Sequence, residues 1–245
     1  MGSRAVDALF LDGLRLDPGA IPRHILGMGN WKQLLAGRFL VFDGPDGSGK
    51  STQIDRFSAF CAEQGLPLEI VREPGGTVIG EAIRAILLDP AHQEMTIRAE
   101  MLLYMASRAQ LVRERIRPAM KQGSMVLADR FISSTLAYQG TAGGLEAEEI
   151  MDVGRVATDG IMPDLVVIFD VDEKTSRSRL GESRDRMEMK GEAFHRRVRE
   201  GYLAQARREP DRYCVIDASV SPDEVFAALI EGIESSLSGT AISRQ

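Results

Sequence analysis

The chain predicts an α/β fold: a five-stranded parallel sheet with helices on both faces. Three observations carry this. Short apolar runs recur without polar alternation, as strands covered on both faces do. Helical patterns separate those runs, which argues for parallel rather than antiparallel pairing. The first run, Phe39-Leu40-Val41-Phe42, leads through a glycine-rich turn straight into a helical pattern.

In order, strands are expected at Phe39–Asp43, Leu68–Arg72, Met125–Asp129, Leu165–Val171 and Tyr213–Asp217. Helices are expected at Ser51–Gln64, Val78–Leu88, Ile97–Lys121, Glu146–Asp159, Glu173–Leu180 and Ala193–Arg208. The long helix stops at Lys121-Gln122-Gly123, with a cation in its last turn and a glycine to end it. Within it Met101, Leu102, Met105, Ala109 and Val112 form a stripe that reads as core rather than as a methionine-rich binding surface. Ser221-Pro222-Asp223-Glu224 opens a last helix as a capping box, with proline at the first helical position. Residues 1–37 lack a long periodic pattern and read as a partly ordered N-terminal extension; residues 38–245 form the domain, with a lid at about 177–192.

Composition narrows the function. Of 245 residues 44% are hydrophobic, and 30 Lys and Arg against 36 Asp and Glu leave a net charge of −6. That balance argues against a nonspecific nucleic-acid binder. Cys61 and Cys214 make no metal set with His24, His92 and His195, and read as reduced thiols of a cytoplasmic protein. No run approaches the ~20 apolar residues of a membrane span, and the start lacks the pattern of a secretory signal.

The turn after the first strand, Gly44-Pro45-Asp46-Gly47-Ser48-Gly49-Lys50-Ser51, reads G-x-x-x-x-G-K-S. It implies a P-loop NTPase fold. Backbone N–H groups close around phosphate oxygens, Lys50 adds a mobile charge, Ser51 reaches Mg²⁺, and a helix N-terminus faces the anion. Three further segments carry chemistry. Val126-Leu127-Ala128-Asp129-Arg130 ends a strand with a carboxylate suited to a metal near the sheet edge, then a guanidinium suited to phosphate. Arg72-Glu73-Pro74-Gly75-Gly76-Thr77 is a tight turn that lets backbone approach a ligand. Arg177, Arg179, Arg184 and Arg186, with Gly181 as a hinge, suit a lid closing over a triphosphate.

Together these segments resemble the thymidylate kinase family over about Arg38 to Ile233. The ordered set is F-D-G-x-D-G-x-G-K-S-T at Phe42–Thr52, R-E-P-G-G-T at Arg72–Thr77 and Ser107-Arg108 in the long helix. It continues with D-R-F-x-S-S-x-x-A-Y-Q-G at Asp129–Gly140, P-D-L at Pro163–Leu165 and D-R-M-E at Asp185–Glu188. The resemblance implies transfer of the γ-phosphate of ATP to dTMP, with Mg²⁺ and commonly as a homodimer. Gly44, Pro45, Asp46, Gly47, Ser48, Gly49, Lys50, Ser51 and Thr52 would hold ATP. Tyr104 would stack on thymine, Arg108 would bond its edge, and Thr135 and Gln139 would complete base recognition. Ser134 joins that substrate set. Tyr138 would lie against the deoxyribose, while Glu73, Pro74 and Arg130 would line the sugar and phosphate. Asp46 would organise the acceptor phosphate, and Asp46, Ser51 and Asp129 would serve the metal. The catalytic set would be Lys50, Asp46, Arg130 and a lid arginine, Arg184 or Arg186. Some members carry an arginine inside the loop just after the aspartate; here that position is Gly47.

Two other readings stay open on the residues alone. Another nucleoside monophosphate kinase or a deoxynucleoside kinase is opposed by Asp129-Arg130 followed by Ser134 and Tyr138-Gln139. A nucleotide-dependent switch is opposed by the absence of an N-K-x-D guanine signature and the presence of Lys50, Ser51 and Asp129. No histidine stands near a motif, consistent with chemistry that needs no general base.

Overall fold

The structure, a computed structural model, describes residues 30–179 and 185–238. Gly181 and Arg184 therefore lie outside the described residues, as do residues 1–29. The elements run α1 (Trp31–Leu35), β1 (Phe39–Asp43), α2 (Lys50–Glu63), β2 (Leu68–Arg72), α3 (Val78–Leu88) and α4 (Ile97–Leu111). A π-helical turn, Val112–Ile116, joins α4 to α5 (Arg117–Lys121), and β3 (Met125–Asp129) follows. Next come α6 (Ile132–Thr135), a second π turn (Leu136–Thr141), α7 (Ala147–Thr158) and β4 (Leu165–Asp170). The chain continues through α8 (Glu173–Arg179), α9 (Glu192–Arg208), β5 (Tyr213–Asp217) and α10 (Pro222–Ser238).

All five strands pair in parallel, in the order β2-β3-β1-β4-β5. The two-residue period of a strand sorts the central runs onto two cores. Leu40 and Phe42, Met125 and Leu127, and Leu165, Val167 and Phe169 face α1, α2 and α10. Phe39 and Val41, Val126 and Ala128, and Val166 and Ile168 face the helices on the other side. The edge strands depart from the expectation of double burial. In β2 and β5 only Val71 and Ile216 are fully covered, because each strand has a neighbour on one side only. Leu102, expected in the core stripe, faces outward, while Met101 and Met105 pack with Ile150 of α7.

The leading segment contributes more than expected. Asn30 caps α1 by accepting from the Gln33 N–H, and Trp31 and Leu35 enter the first core, where Trp31 meets Phe60 edge-on at 5.2 Å. The packed unit thus begins ahead of residue 38. At the other end, the capping box is formed: the Glu224 N–H donates to Ser221 Oγ at 3.3 Å and the Ser221 N–H to Glu224 Oε2 at 3.1 Å. Ser221→Ala is expected to cost about 1 kcal/mol, read as a fall in thermal midpoint of ~2–4 °C in a chain of this size.

The strand order reverses between β1 and β3: the chain leaves β1 toward the edge strand β2, and leaves the neighbouring β3 the opposite way, across β1 to β4. Open parallel sheets bind ligands at the carboxyl ends of strands beside such a point. The loops leaving β1 and β3 emerge there together.

Candidate active site

The loop after β1 has the backbone shape its glycines allow. Gly47 has φ +74°, and a Cβ there would meet the Ser176 carbonyl oxygen at 2.4 Å. α8 therefore sits directly over the loop, and Ser176 Oγ donates to the Asp46 carbonyl at 2.6 Å. A side chain after Asp46 would be strained by that backbone angle and, with α8 in this position, would strike the Ser176 backbone, so the space beside the loop belongs to α8. Lys50 is buried and donates to Asp129 Oδ1 at 2.6 Å. Ser51 is exposed at the start of α2, and Ser48 Oγ is buried without a partner inside the loop.

Arg130 leaves β3 in a left-handed conformation, φ +72°. Its Nη1 donates to Asp43 Oδ1 at 3.1 Å, the Gly44 carbonyl at 3.0 Å, Ser134 Oγ at 3.1 Å and Tyr202 OH at 3.0 Å. Its Nη2 reaches Asp46 Oδ1 at 2.5 Å. Asp43, fully buried, also accepts from the Gly44 N–H, Ser133 Oγ, Ser134 Oγ and Tyr202 OH. Tyr138 OH donates to Asp46 Oδ2 at 2.8 Å. Burial pushes the Asp46 carboxyl up, but Arg130, the Tyr138 hydroxyl and Lys50 outweigh it and hold it below its ordinary value. For Arg130, burial pulls downward and the surrounding oxygens win, so its charge is held well above the usual range. Burial drives the Tyr138 hydroxyl well upward, so it stays a donor.

Two cavities meet at Asp46, Lys50 and Arg130. The larger, about 510 Å³, follows the loop from Pro45 to Gln53 and ends against Arg179, Ala218 and Val220. The smaller, about 210 Å³, is walled by Glu73, Pro74, Tyr104, Thr135, Tyr138 and Gln139. They share Asp46, Lys50, Arg130 and Glu188.

Several expected residues stand elsewhere than the cavity walls. Arg108 is buried just behind the smaller cavity, bonding Glu73 Oε2 at 2.6 Å and Thr135 Oγ1 at 3.2 Å. Arg186 is also buried: its Nη1 meets Glu100 Oε2 at 2.6 Å and its Nε donates to the Leu87 carbonyl at 2.7 Å. It is committed away from the phosphate loop. The arginine of that run that does border the larger cavity is Arg179, whose Nη1 donates to the Ala218 carbonyl at 2.9 Å. His195, expected far from any motif, borders a side cavity together with Pro45 and Asp46. Tyr202, Asp43, Arg84 and Glu100 had no role in the sequence reading. Arg84 lines the smaller cavity and donates to the Pro74 carbonyl at 2.9 Å.

The side chains present fit a magnesium ion shared with phosphates. Among the described residues no cluster of three or more His, Cys, Asp or Glu forms a cage. Mg²⁺ needs none here, since phosphates and water supply most of its ligands and the protein adds one or two oxygens. Ser51, exposed, and Asp129, 22% exposed at the strand end, offer those oxygens. Both Asp46 oxygens already accept hydrogen bonds.

The chain matches known proteins over most of its length. The thymidylate kinase family model matches residues 42–229. Thymidylate kinase of Geobacillus sp. (strain WCH70) is 46% identical over 209 residues, covering 84% of this chain and 100% of that protein. The one from Pelotomaculum thermopropionicum is 46% identical over 203 residues, covering 82% and 94%. The crystal structure of thymidylate kinase from Ehrlichia chaffeensis superposes with a TM-score of 0.66 at 30% identity, over 80% of this chain and 97% of that one. A match running from the phosphate loop into the last helix takes in both cavities and the residues between them, and by it the chain belongs to the thymidylate kinase family.

Proposed function

We propose that this chain transfers the γ-phosphate of ATP to dTMP, giving dTDP for dTTP synthesis, as a cytoplasmic enzyme. One observation supports the reading above others: a phosphate-loop cavity and a base-sized cavity meet at Asp46, Lys50, Arg130 and Glu188. Donor and acceptor phosphates entering from the two sides come together between a lysine and an arginine. That is the alignment in-line transfer requires.

Each residue then has a task. The loop from Gly44 to Thr52 cradles the ATP phosphates, with Ser48 Oγ available to one oxygen. Arg130 takes the acceptor phosphate, and Asp46 holds Arg130 and Tyr138 in place. Tyr138 packs on the deoxyribose, with Glu73 and Pro74 on its other side; Glu73 Oε1, buried without a partner, suits a sugar hydroxyl. Tyr104 lies along the base, Thr135 and Gln139 supply polar groups around it with Arg108 bracing Thr135 from behind, and Ser134 stands beside Arg130 at the phosphate end. The acceptor monoester is largely dianionic at neutral pH, its second pKa being about 6, so no base has to activate it. Mg²⁺, held by Ser51 and Asp129 alongside the phosphates, would neutralise charge on the oxygens it binds. Lys50 and Arg130 spread the remainder; with Arg186 committed to Glu100, Arg184 and Arg179 are the lid arginines available to add to it.

Among the described residues no helix is long and apolar enough to cross a membrane. A homodimer would draw on the exposed apolar side chains Val78, Ile79 and Ile86 of α3, Leu102 of α4 and Val156 of α7.

A coupled assay with ATP and dTMP, dUMP, AMP and CMP tests the reading. dTMP should give the highest kcat/KM. Its lead over dUMP should be modest, because a single methyl in an apolar pocket is worth ~1–3 kcal/mol. Equal values for the two would remove the base-pocket assignment; a preference for AMP or CMP would remove the substrate.

A further inference from the structure

Glu100 stands in the first turn of α4, fully buried, at the base end of the acceptor cavity without lining it. Its Oε1 accepts from Gln139 Nε2 at 2.8 Å and from Lys190 Nζ at 3.1 Å. Its Oε2 accepts from Arg186 Nη1 at 2.6 Å and from Lys190 Nζ at 3.1 Å. Two cations and one amide thus converge on one carboxylate. Lys190 is held in turn over the Phe194 ring, 4.6 Å from its centroid.

The chemistry of this cluster settles a choice that an amide alone leaves open. A glutamine presents either its NH₂ or its oxygen to a ligand, and the two ends differ only in what they bond. A carboxylate facing cations only accepts, so the Gln139 NH₂ must turn toward Glu100. Gln139 lines the acceptor cavity, so its amide oxygen is the end left for the base. Thymine and uracil carry a hydrogen on N3 and donate there; cytosine has a bare N3 that accepts. An oxygen in that place bonds the first pair and repels the third.

We propose that Glu100 is a positioning residue for base selection: it fixes the Gln139 amide with its oxygen toward the base, so that the pocket takes a pyrimidine bearing N3–H and rejects cytosine. Arg186 and Lys190, from the C-terminal part of the lid segment, hold the carboxylate in register. The segment that the sequence assigns to phosphate chemistry thereby also serves the base. The inference rests on the dTMP kinase reading and adds a residue to it.

The test is the ratio of kcat/KM for dTMP to that for dCMP, each pair measured on one preparation so that the active fraction cancels. Wild-type turnover of dTMP is measured first. Its absence removes the kinase reading itself, whereas turnover with an unmoved ratio in the variants removes only the role of Glu100. Glu100→Gln can receive either end of the Gln139 amide, so its ratio should fall about tenfold or more, chiefly through a higher KM for dTMP. A purely structural role would lower both substrates together and leave the ratio where it was. Gln139→Met removes the amide while leaving Glu100 with Arg186 and Lys190, and must lose the same discrimination even if Glu100→Gln does not fold. An unchanged ratio in either variant overturns the assignment.

Discussion

Arg130→Lys is expected to lower kcat for dTMP by about 10³-fold, within the range found for arginines that stabilise a transferring phosphoryl group. The geometry gives the reason. One guanidinium nitrogen serves four oxygens, of β1, the loop, α6 and α9, while the other is pinned to Asp46. A planar fork can hold both sets and still offer N–H edges to a phosphate; an ammonium on a flexible stem holds one set at a time. Asp43 keeps four other donors in the variant, so folding should suffer by only about 1–2 kcal/mol. The check is a pre-steady-state measurement of the chemical step beside a thermal melt. A large loss of rate with a small loss of midpoint is the expected pair. A rate that falls only as far as the melt explains would make Arg130 a structural residue.

That contrast bears on what could be read from the sequence. The strands were legible because parallel strands covered on both faces must be apolar throughout; Phe39–Asp43 and Met125–Asp129 came out with their ends in place. Glycines and capping residues marked the helix ends. The five-residue α1 was not legible, since so short a helix has no period to read and only Trp31, Leu34 and Leu35 pack on the core. The π turns at Val112–Ile116 and Leu136–Thr141 were invisible for a related reason: one extra residue in a turn shifts the register without changing composition. Of the site, the loop, Asp129-Arg130 and the Tyr138-Gln139 segment formed continuous strings. Tyr202 and Glu100 did not, because each acts across more than thirty residues of chain, Tyr202 on Asp43 and Glu100 on Gln139 and Arg186. Arg186 shows the converse. Its place in an arginine-rich run pointed to phosphate, and only its buried partner Glu100 shows what it bonds.

Arg108→Met should destabilise the fold by about 3–5 kcal/mol near neutral pH, the usual cost of stranding one member of a buried ion pair. Arg108 and Glu73 are 1% and 3% exposed, and Glu73 Oε1 has no partner in any case. Burial pushes the Glu73 carboxyl above its ordinary value even with Arg108 opposing, so removing the guanidinium can only push it further. The sign of the pH dependence follows. A carboxyl whose folded pKa is raised binds more protons in the folded state than in the unfolded one, so stability falls as pH rises through the folded value. The gap in thermal midpoint between wild type and Arg108→Met should therefore be narrow below the ordinary carboxylate range and widen toward neutrality. The double variant Arg108→Met, Glu73→Gln removes the stranded charge and should recover most of the gap at neutral pH. It should not recover dTMP affinity, because Arg108 also braces Thr135 at the base end of the cavity and Glu73 lines its sugar side. A gap that stays constant across pH would mean that lost packing against Phe131, whose ring lies 5.0 Å from the guanidinium, outweighs the charge.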